Sequence, residues 1–406
     1  MATNLIPGLP AWVAPAYDQL GWSVLGIPII IYLALVQAVR FRNLKTINST
    51  YSEYLQDPCS MDYKIAHEIL KTVLLREFPF MYAFGTQWAL VKSYGIANGT
   101  KLLVQTRRLA NEQTVGKRGE DTGIILGEIL ISGLDSDRGL RALSKMNWIH
   151  RQYGSKISNG DLVHTLALFV LEPQRWIEMY EWRTMTELEK VAAFVYWKEI
   201  GNRMGMIDIP ETLEDLKQWT RDYEEKHMYY ADSNRKCVDA TVNLFLRNVP
   251  KFFHHFAQNV AATFLEPNVR LAIGVETPPT WVSNLVSTIF KLRAFVIRYL
   301  SLSRFRDLDP LAHEGPDGRL YRKEWIFEPW YVPETSWTRF LGKLGLSTKF
   351  SPGPQYASKG YLPEELGPVE YETKSKTAVL KESAEMRIYA ESGGGAVLGC
   401  PFAFVR

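Results

Sequence analysis

The chain has 406 residues, enough for a large core and one or two domains. Its 47 basic and 44 acidic side chains give a formal charge of only +3, which argues against a general polyanion-binding surface, so no nucleic-acid partner is predicted. The three cysteines, Cys59, Cys237 and Cys400, are far apart and odd in number, a pattern typical of a reducing compartment rather than of a disulfide framework.

The first predicted element is a membrane anchor. Residues 21–39 contain no charged side chain and approach the roughly 20 residues that a helix needs to cross a bilayer. The first basic residues of the chain follow at once: Arg40, Arg42 and Lys45. By the positive-inside rule we expect a single-pass protein with residues 1–45 forming a lumenal N-terminal segment and its anchor, and everything after Arg40 in the cytosol. The alternative is a buried core helix.

A second predicted element carries a carboxylate. The chain after residue 51 shows helical periodicity that Pro79 interrupts, and it leads to the stretch DTGIILGE at residues 121–128. On a helix, Glu128 faces inward among apolar neighbours. A carboxylate in apolar surroundings can act as a base, because desolvation raises its pKa. Alternatively, Glu128 is simply salt-bridged.

The stretch from residue 141 to residue 205 carries two histidines in apolar surroundings, His150 and His164. Ser158 with Asp161 predicts a helix start just before His164, and Thr186 with Glu189 predicts the next start. Pro173 predicts a bent connection between the two helices.

No nearby acidic residue pairs with either histidine, so a metal or haem iron would satisfy their ring nitrogens. A hydrogen-bonded core histidine is nevertheless the commoner case. The chain has no HExxH, paired CxxC, GxGxxG or GxSxG motif, so spacing alone names no metal, nucleotide or serine-hydrolase site.

The last third of the chain changes character. Residues 281–300 are apolar but contain Lys291, Arg293 and Arg298, which favours an interfacial helix on the membrane surface over a second span. From residue 303 prolines and glycines become frequent and helical periodicity fades. We therefore predict a helical catalytic domain at residues 51–302 and a partly ordered tail at 303–406, with strand-like pieces such as residues 387–389.

Five blocks of this sequence occur in the order found in membrane-bound oxygenases of the MpaB type. They are FPFMYAFGTQWALVKSYGI, DTGIILGE, WIHRQYG, DLVHTLALFVLEPQRWIEMYEWRTMTELE and VIRYLSLSR. The chain resembles this family over about residues 68–304. The family acts in fungal mycophenolic acid biosynthesis and shares its catalytic domain with the rubber oxygenase called latex clearing protein.

The resemblance implies an all-α fold: a helical, haem-oxygenase-like catalytic domain of the latex clearing protein type with one N-terminal transmembrane helix. Rubber-cleaving members hold haem b between helices through a histidine in a VHATL motif. That motif matches residues 163–166 here, so His164 is the implied axial ligand and His150 the reserve. The distal acid-base carboxylate falls near Glu128. The distal basic residue, arginine in the rubber enzymes, falls near Lys145.

The implied activity is oxidative cleavage of a carbon-carbon double bond in an isoprenoid, farnesyl-like chain of a terpenoid, within fungal secondary metabolism at the endoplasmic reticulum membrane. Dioxygen, an apolar prenylated substrate and the lipid bilayer are the expected partners. In this scheme Glu128 abstracts an allylic proton and Lys145 helps to orient the oxygen. Three alternatives stay open: a haem-binding membrane protein without oxygenase activity, an oxygenase that hydroxylates another apolar metabolite, and a structural membrane-associated helical protein.

Overall fold

The computed structural model describes residues 23–107, 109, 111, 114–325, 328–344 and 350–392. The predicted lumenal segment before residue 23, Cys400 and the glycines at 393–395 lie outside this part of the chain. The helices are α1 (Ser23–Val39), α2 (Arg42–Thr50), α3 (Tyr63–Thr72), α4 (Pro79–Ser93), α5 (Ala97–Gln105), α6 (Val115–Gly127), α7 (Asp137–Arg151), α8 (Asn159–Tyr180), α9 (Glu187–Arg203), α10 (Leu213–His227), α11 (Asp232–Leu246), α12 (His254–Thr263), α13 (Pro267–Ile273), α14 (Thr280–Leu300), α15 (Ser336–Lys343) and α16 (Lys376–Glu391).

Two short antiparallel strands, β1 (His313–Glu314) and β2 (Leu320–Tyr321), form the one sheet of the described residues. The register pairs His313 with Tyr321 and Glu314 with Leu320. The predicted all-α fold is therefore confirmed.

The central helices begin where their capping residues predict. The Ser158 side chain accepts a hydrogen bond from the Asp161 backbone N–H, and α8 follows. Thr186 and Glu189 form a capping box at the start of α9, each side chain bonding the backbone of the other. Such caps satisfy backbone donors that have no partner within the helix, which is why these short patterns identify helix starts.

The bend predicted at Pro173 is wrong, because α8 runs through this residue to Tyr180. A proline inside a helix costs about 3 kcal/mol, so packing must offset this cost. α4 lies along α8 here, and a Cβ on Gly85 of α4 would come within 2.6 Å of the Pro173 Cα atom. The close backbone contact between two buried helices stabilises the longer helix.

The core is organised around α9, which packs against α3 and α8. Its buried side chains surround the helix instead of forming one stripe, as is typical of a core helix. They include Leu188, Ala192, Phe194, Tyr196, Trp197 and Ile200.

The segment after residue 303 contributes to the same core. Tyr361, Leu366 and Met386 are buried within it, and α16 packs against α7. The strand-like structure predicted at residues 387–389 is wrong, since these residues belong to α16. The predicted boundary at 303 thus marks a change from helix to loop within one core.

At the other end of the chain, residues 26–50 are the one stretch of described helix that is long and apolar enough to cross a membrane. Most of the side chains of its apolar part are exposed, among them Ile29 and Ile31. The predicted anchor therefore has a structural counterpart in α1.

Candidate active site

Glu128 begins a π-helical turn, Glu128–Ser132, that continues α6. Its side chain is completely buried, as the sequence predicts. Arg138 forms an ion pair with one carboxylate oxygen, Tyr361 donates to the same oxygen at 2.9 Å, and Ser132 donates to the other at 3.0 Å. The sequence leaves two roles open for Glu128, a base and a salt-bridge partner. The ion pair with Arg138 shows that Glu128 is salt-bridged.

A second buried carboxylate, Asp121, lies two helical turns before Glu128. It accepts hydrogen bonds from the Tyr331 hydroxyl at 2.6 Å, the Lys117 ammonium at 2.8 Å and the Gly367 backbone at 3.1 Å. The rings of Tyr331 and Tyr361 pack with centroids 4.9 Å apart. Burial, together with the carboxylates, raises the pKa of both tyrosines, so they remain hydroxyl donors.

Lys145 is buried on α7. Its Nζ atom donates to the Ser375 hydroxyl at 2.7 Å and to the Tyr371 carbonyl at 3.1 Å. Burial lowers the pKa of Lys145 to about 8, although the charge of Asp121 opposes this shift.

Glu128 and Lys145 share no hydrogen-bond partner among the described residues. Both are nevertheless held by side chains or backbone from the segment after residue 303, namely Tyr361 for Glu128 and Tyr371 and Ser375 for Lys145. The C-terminal segment therefore determines the polar environment of the α6–α7 pair.

His150 lies in the last turn of α7. Its Nδ1 atom is buried and has no hydrogen-bond partner within the described part of the chain. Burial lowers the pKa of His150 to about 4, and the positive charges of Arg118 and Arg151 add to the effect. The imidazole is therefore neutral at physiological pH, the form in which histidine binds metals.

His164 is buried in α8, with 1% of its surface exposed. Its Nε2 atom lies 3.2 Å from a carboxylate oxygen of Glu224, and its ring stacks on Tyr223 with centroids 5.4 Å apart. The expectation that His164 has no acidic neighbour is wrong. The neighbour comes from α10, 60 residues later in the chain.

The Glu224 carboxylate belongs to a larger polar group, the Lys92 cluster, formed by Lys92, His164, Glu172, Glu224 and Glu266. Lys92 Nζ lies 3.2 Å from Glu172, 3.3 Å from Glu224 and 2.6 Å from Glu266. Burial by itself would raise the pKa of Glu224, but the His164 and Lys92 contacts lower it overall. The Nε2 edge of the His164 ring therefore faces a group of charged side chains.

The catalytic-domain model of "ER-bound oxygenase mpaB/B'/Rubber oxygenase" matches residues 130–297, the span from the π-helical turn to α14. ER-bound oxygenase mpaB' of Penicillium brevicompactum is 29% identical over 96% of this chain and 98% of its own length. ER-bound oxygenase mpaB of the same species is 28% identical over 80% and 81%. The mpaB protein of Penicillium roqueforti is 30% identical over 260 residues, which cover 60% of this chain and 87% of that protein.

The chain belongs to this oxygenase family. It is thus an oxidoreductase with the all-α catalytic domain that MpaB-type oxygenases share with rubber oxygenase. The matched region contains Lys145, His150 and His164, while Glu128 lies two residues before it.

Of the four predicted site residues of this MpaB-type oxygenase, Glu128 lies in the π-helical turn after α6, and Lys145 and His150 lie on α7. His164 lies on α8 and contacts α10 instead. Sequence reasoning missed Asp121, Tyr361 and Glu224, which hold or neighbour these residues. Asp121 was detectable in principle, because it lies seven residues before Glu128 on the same helical face. Glu224 and Tyr361 meet their partners only through the fold.

The histidines of this MpaB-type oxygenase differ in how they fit a haem iron. The His150 Nδ1 atom is an orphaned buried nitrogen, which a coordination bond would satisfy. The Nε2 atom of His164 is already bonded to Glu224, so His164 suits iron only through its other ring nitrogen. Among the described residues no three His, Cys, Asp or Glu side chains are grouped as a metal ion would require. Of these two histidines, His150 therefore has the ring nitrogen that a ligand would satisfy.

Proposed function

We propose that this protein is a membrane-bound oxygenase that cleaves a carbon-carbon double bond in the isoprenoid chain of a terpenoid or meroterpenoid, within fungal secondary metabolism. The observation that carries the proposal is the combination of an oxygenase catalytic domain with an exposed apolar helix, α1, on the same chain. An anchored enzyme meets a prenylated substrate where that substrate concentrates, in the bilayer.

The proposed location is the endoplasmic reticulum membrane. The relatives named ER-bound and the apolar helix α1 support it. The basic residues that follow α1 favour a lumenal N-terminus and a cytosolic catalytic domain.

The proposed cofactor is haem b, bound through His164, as the resemblance implies, or through His150, as its unpaired Nδ1 atom favours. When bound, haem would supply the activation of dioxygen. A double bond cleaved by one dioxygen molecule gives two carbonyl fragments, each with one oxygen atom, so no further reductant is needed.

In this proposal Glu128 accepts an allylic proton from the substrate and returns it before the products leave, since the two carbonyl fragments keep every hydrogen of the substrate. Arg138 and Tyr361 orient its carboxylate. Lys145 contributes a positive charge beside the reacting oxygen, and its buried position close to two acceptors keeps the amine in a fixed place. The roles of Glu128 and Lys145 both require the substrate double bond and the dioxygen to lie close to these two side chains.

The first test is an absorption spectrum of the full-length protein purified in detergent and supplied with haem, beside His164→Ala and His150→Ala. The loss of the Soret band in one variant alone identifies the ligand. Bands in all three proteins would exclude both histidines as the sole ligand, and the absence of a band in folded wild type would contradict the haem proposal.

The second test adds farnesylated compounds and measures oxygen consumption and products by mass spectrometry. A shortened aldehyde together with the second carbonyl fragment supports the proposal. Hydroxylated products of unchanged carbon skeleton would instead indicate an oxygenase that hydroxylates an apolar metabolite. A haem spectrum without oxygen uptake would indicate a haem-binding protein that lacks this activity.

A further inference from the structure

α14 presents an apolar face to solvent. The exposed side chains recur every three or four residues along the helix, while side chains of the other side, among them Phe290 and Ile297, are partly buried against the core. The exposed apolar residues of α14 are Trp281, Leu285, Ile289, Leu292, Phe295, Val296, Tyr299 and Leu300. Monomeric soluble proteins rarely expose so long an apolar stripe, so we expect another molecule or a membrane to cover this face.

The stripe continues onto the corner between α11 and α12. The Phe256 ring stacks on Trp281, with centroids 5.9 Å apart and planes 18° apart. Phe252, just before α12, is 88% exposed, and Phe253 beside it is also exposed. We call this corner together with the exposed face of α14 the apolar face.

The apolar face adjoins the candidate membrane span at the C-terminal end of α14. The Tyr32 hydroxyl on α1 donates to the Leu300 carbonyl at 2.9 Å. The Arg40 guanidinium donates to the carbonyls of Ile297 at 3.2 Å and Ser301 at 3.3 Å. These bonds fix α1 to the C-terminal end of α14, so the orientation of one helix in a bilayer determines that of the other.

The charges of α14 also fit a membrane surface. The helix has no acidic residue, and two of its three basic side chains turn toward the protein. Arg293 pairs with Glu181 at 2.9 Å, and Arg298 donates to the Trp182 carbonyl at 3.1 Å. Lys291 remains exposed beside the aromatic and aliphatic side chains, a composition typical of helices in the lipid headgroup region.

We propose that the apolar face is a second membrane contact, which lies on the bilayer that α1 crosses. The proposal rests on the membrane anchoring proposed above and adds the orientation of the catalytic domain. Because α1 is fixed to α14, this contact would hold one side of the domain in the headgroup region.

The test uses the full-length protein in phosphatidylcholine vesicles, with an environment-sensitive fluorophore on single cysteines. Cys59→Ser and Cys400→Ser form the background, since Cys237 is buried and does not label. The labelled variants are Leu292→Cys and Phe252→Cys on the apolar face and Ile30→Cys on α1. The matched control is Ile388→Cys, because Ile388 is an apolar side chain on α16 that is 66% exposed.

We expect lipids with a spin label near the headgroup to quench the fluorophores at residues 292 and 252 several-fold more than the one at residue 388. Iodide in the water should give the opposite order. Equal quenching at 292 and 388 overturns the proposal. Protection of residue 292 from both quenchers also overturns it, because a protein partner would then cover the face.

Ile30→Cys separates this proposal from the anchoring proposal. If the spin-labelled lipid quenches the fluorophore at residue 30, while iodide quenches those at residues 292 and 252, then α1 is the anchor and the apolar face is not a membrane contact. If iodide quenches all three fluorophores and the spin-labelled lipid quenches none, both the anchor and the second membrane contact are contradicted. Blue-shifted emission and lipid quenching at all three sites support the two proposals together.

Discussion

At the scale of single residues, the four candidate site residues differ in what surrounds them. Lys145 and Glu128 are hydrogen-bonded, His164 is paired with a carboxylate, and the Nδ1 atom of His150 is buried without a partner in the described structure. Buried polar groups are usually satisfied, so the unpaired nitrogen makes His150 the first of these residues to test for a ligand.

Glu128→Gln tests the proposed base. The amide keeps the shape of the side chain but cannot accept a proton, so we expect turnover to fall at least about 100-fold, the range typical of general-base loss. The haem spectrum should not change. Turnover is measured as oxygen uptake with whichever farnesylated compound the product assay shows to be cleaved.

Glu120→Gln is the matched control for Glu128→Gln. Glu120 is another buried carboxylate of α6 that pairs with an arginine, Arg322, and it has no role in the proposed chemistry. Equal turnover in the two variants would show that Glu128 is a structural partner of Arg138 and not the base.

Because the pKa of Lys145 is lowered in the folded protein, we expect the free energy of unfolding to depend on pH. Its pKa is about 8 in the folded protein and about 10.5 when unfolded, so the unfolded chain binds more protons between these values. The free energy of unfolding should therefore rise from pH 8 to pH 10.5, by about 3 kcal/mol from this group alone. Lys145→Met should lack this rise, measured as the difference in thermal midpoint between the two proteins. The same profile in both would contradict the buried, depressed amine.

At the scale of secondary structure, the capping residues predicted the helix starts correctly, whereas the bent connection predicted at Pro173 was wrong. A cap acts within four residues and is visible in the sequence. Whether a proline ends a helix depends on the energy of packing around it, and here α4 lies against α8 at this point. A local rule therefore fails where a tertiary contact outweighs it.

Gly85→Ala tests that contact. The new methyl group would lie 2.6 Å from the Pro173 backbone, so the two helices must separate. We expect a loss of about 1–3 kcal/mol in the free energy of unfolding, as is usual for overpacking. Gly123→Ala in α6 is the control, since nothing lies within 4 Å of its Cβ position. This control should gain about 0.5–1 kcal/mol from the higher helix propensity of alanine. Equal effects would contradict a tight α4–α8 contact.

At the scale of the whole molecule, the chain after residue 303 matters more than its composition suggests. Frequent prolines and glycines predict a loose tail, yet Tyr331 and Tyr361 bond to the buried carboxylates of α6, and α16 packs on α7. The candidate site therefore depends on a segment that lies outside the matched family domain.

Two substitutions on α16 test this dependence. Met386 is completely buried, so Met386→Asp places a charge in the core and should destabilise the protein by several kcal/mol. Ile388→Asp, two residues away on the exposed side, should change stability by less than about 0.5 kcal/mol. Thermal unfolding in detergent measures both. A mild effect of both variants would show that α16 is dispensable for the core.

The all-α class, the helix starts at Ser158 and Thr186, the apolar N-terminal helix and the burial of Glu128 were all predictable from the amino-acid sequence. These follow from patterns of a few residues, and from motifs whose order identifies the family. Three contacts depend on the packing of the folded chain: Glu224 binds His164, Tyr361 and Arg138 bind the Glu128 carboxylate, and α1 is fixed to α14. Each of these contacts except the one with Arg138 joins residues at least 60 positions apart, and no local periodicity encodes which distant side chains the packing of helices brings together.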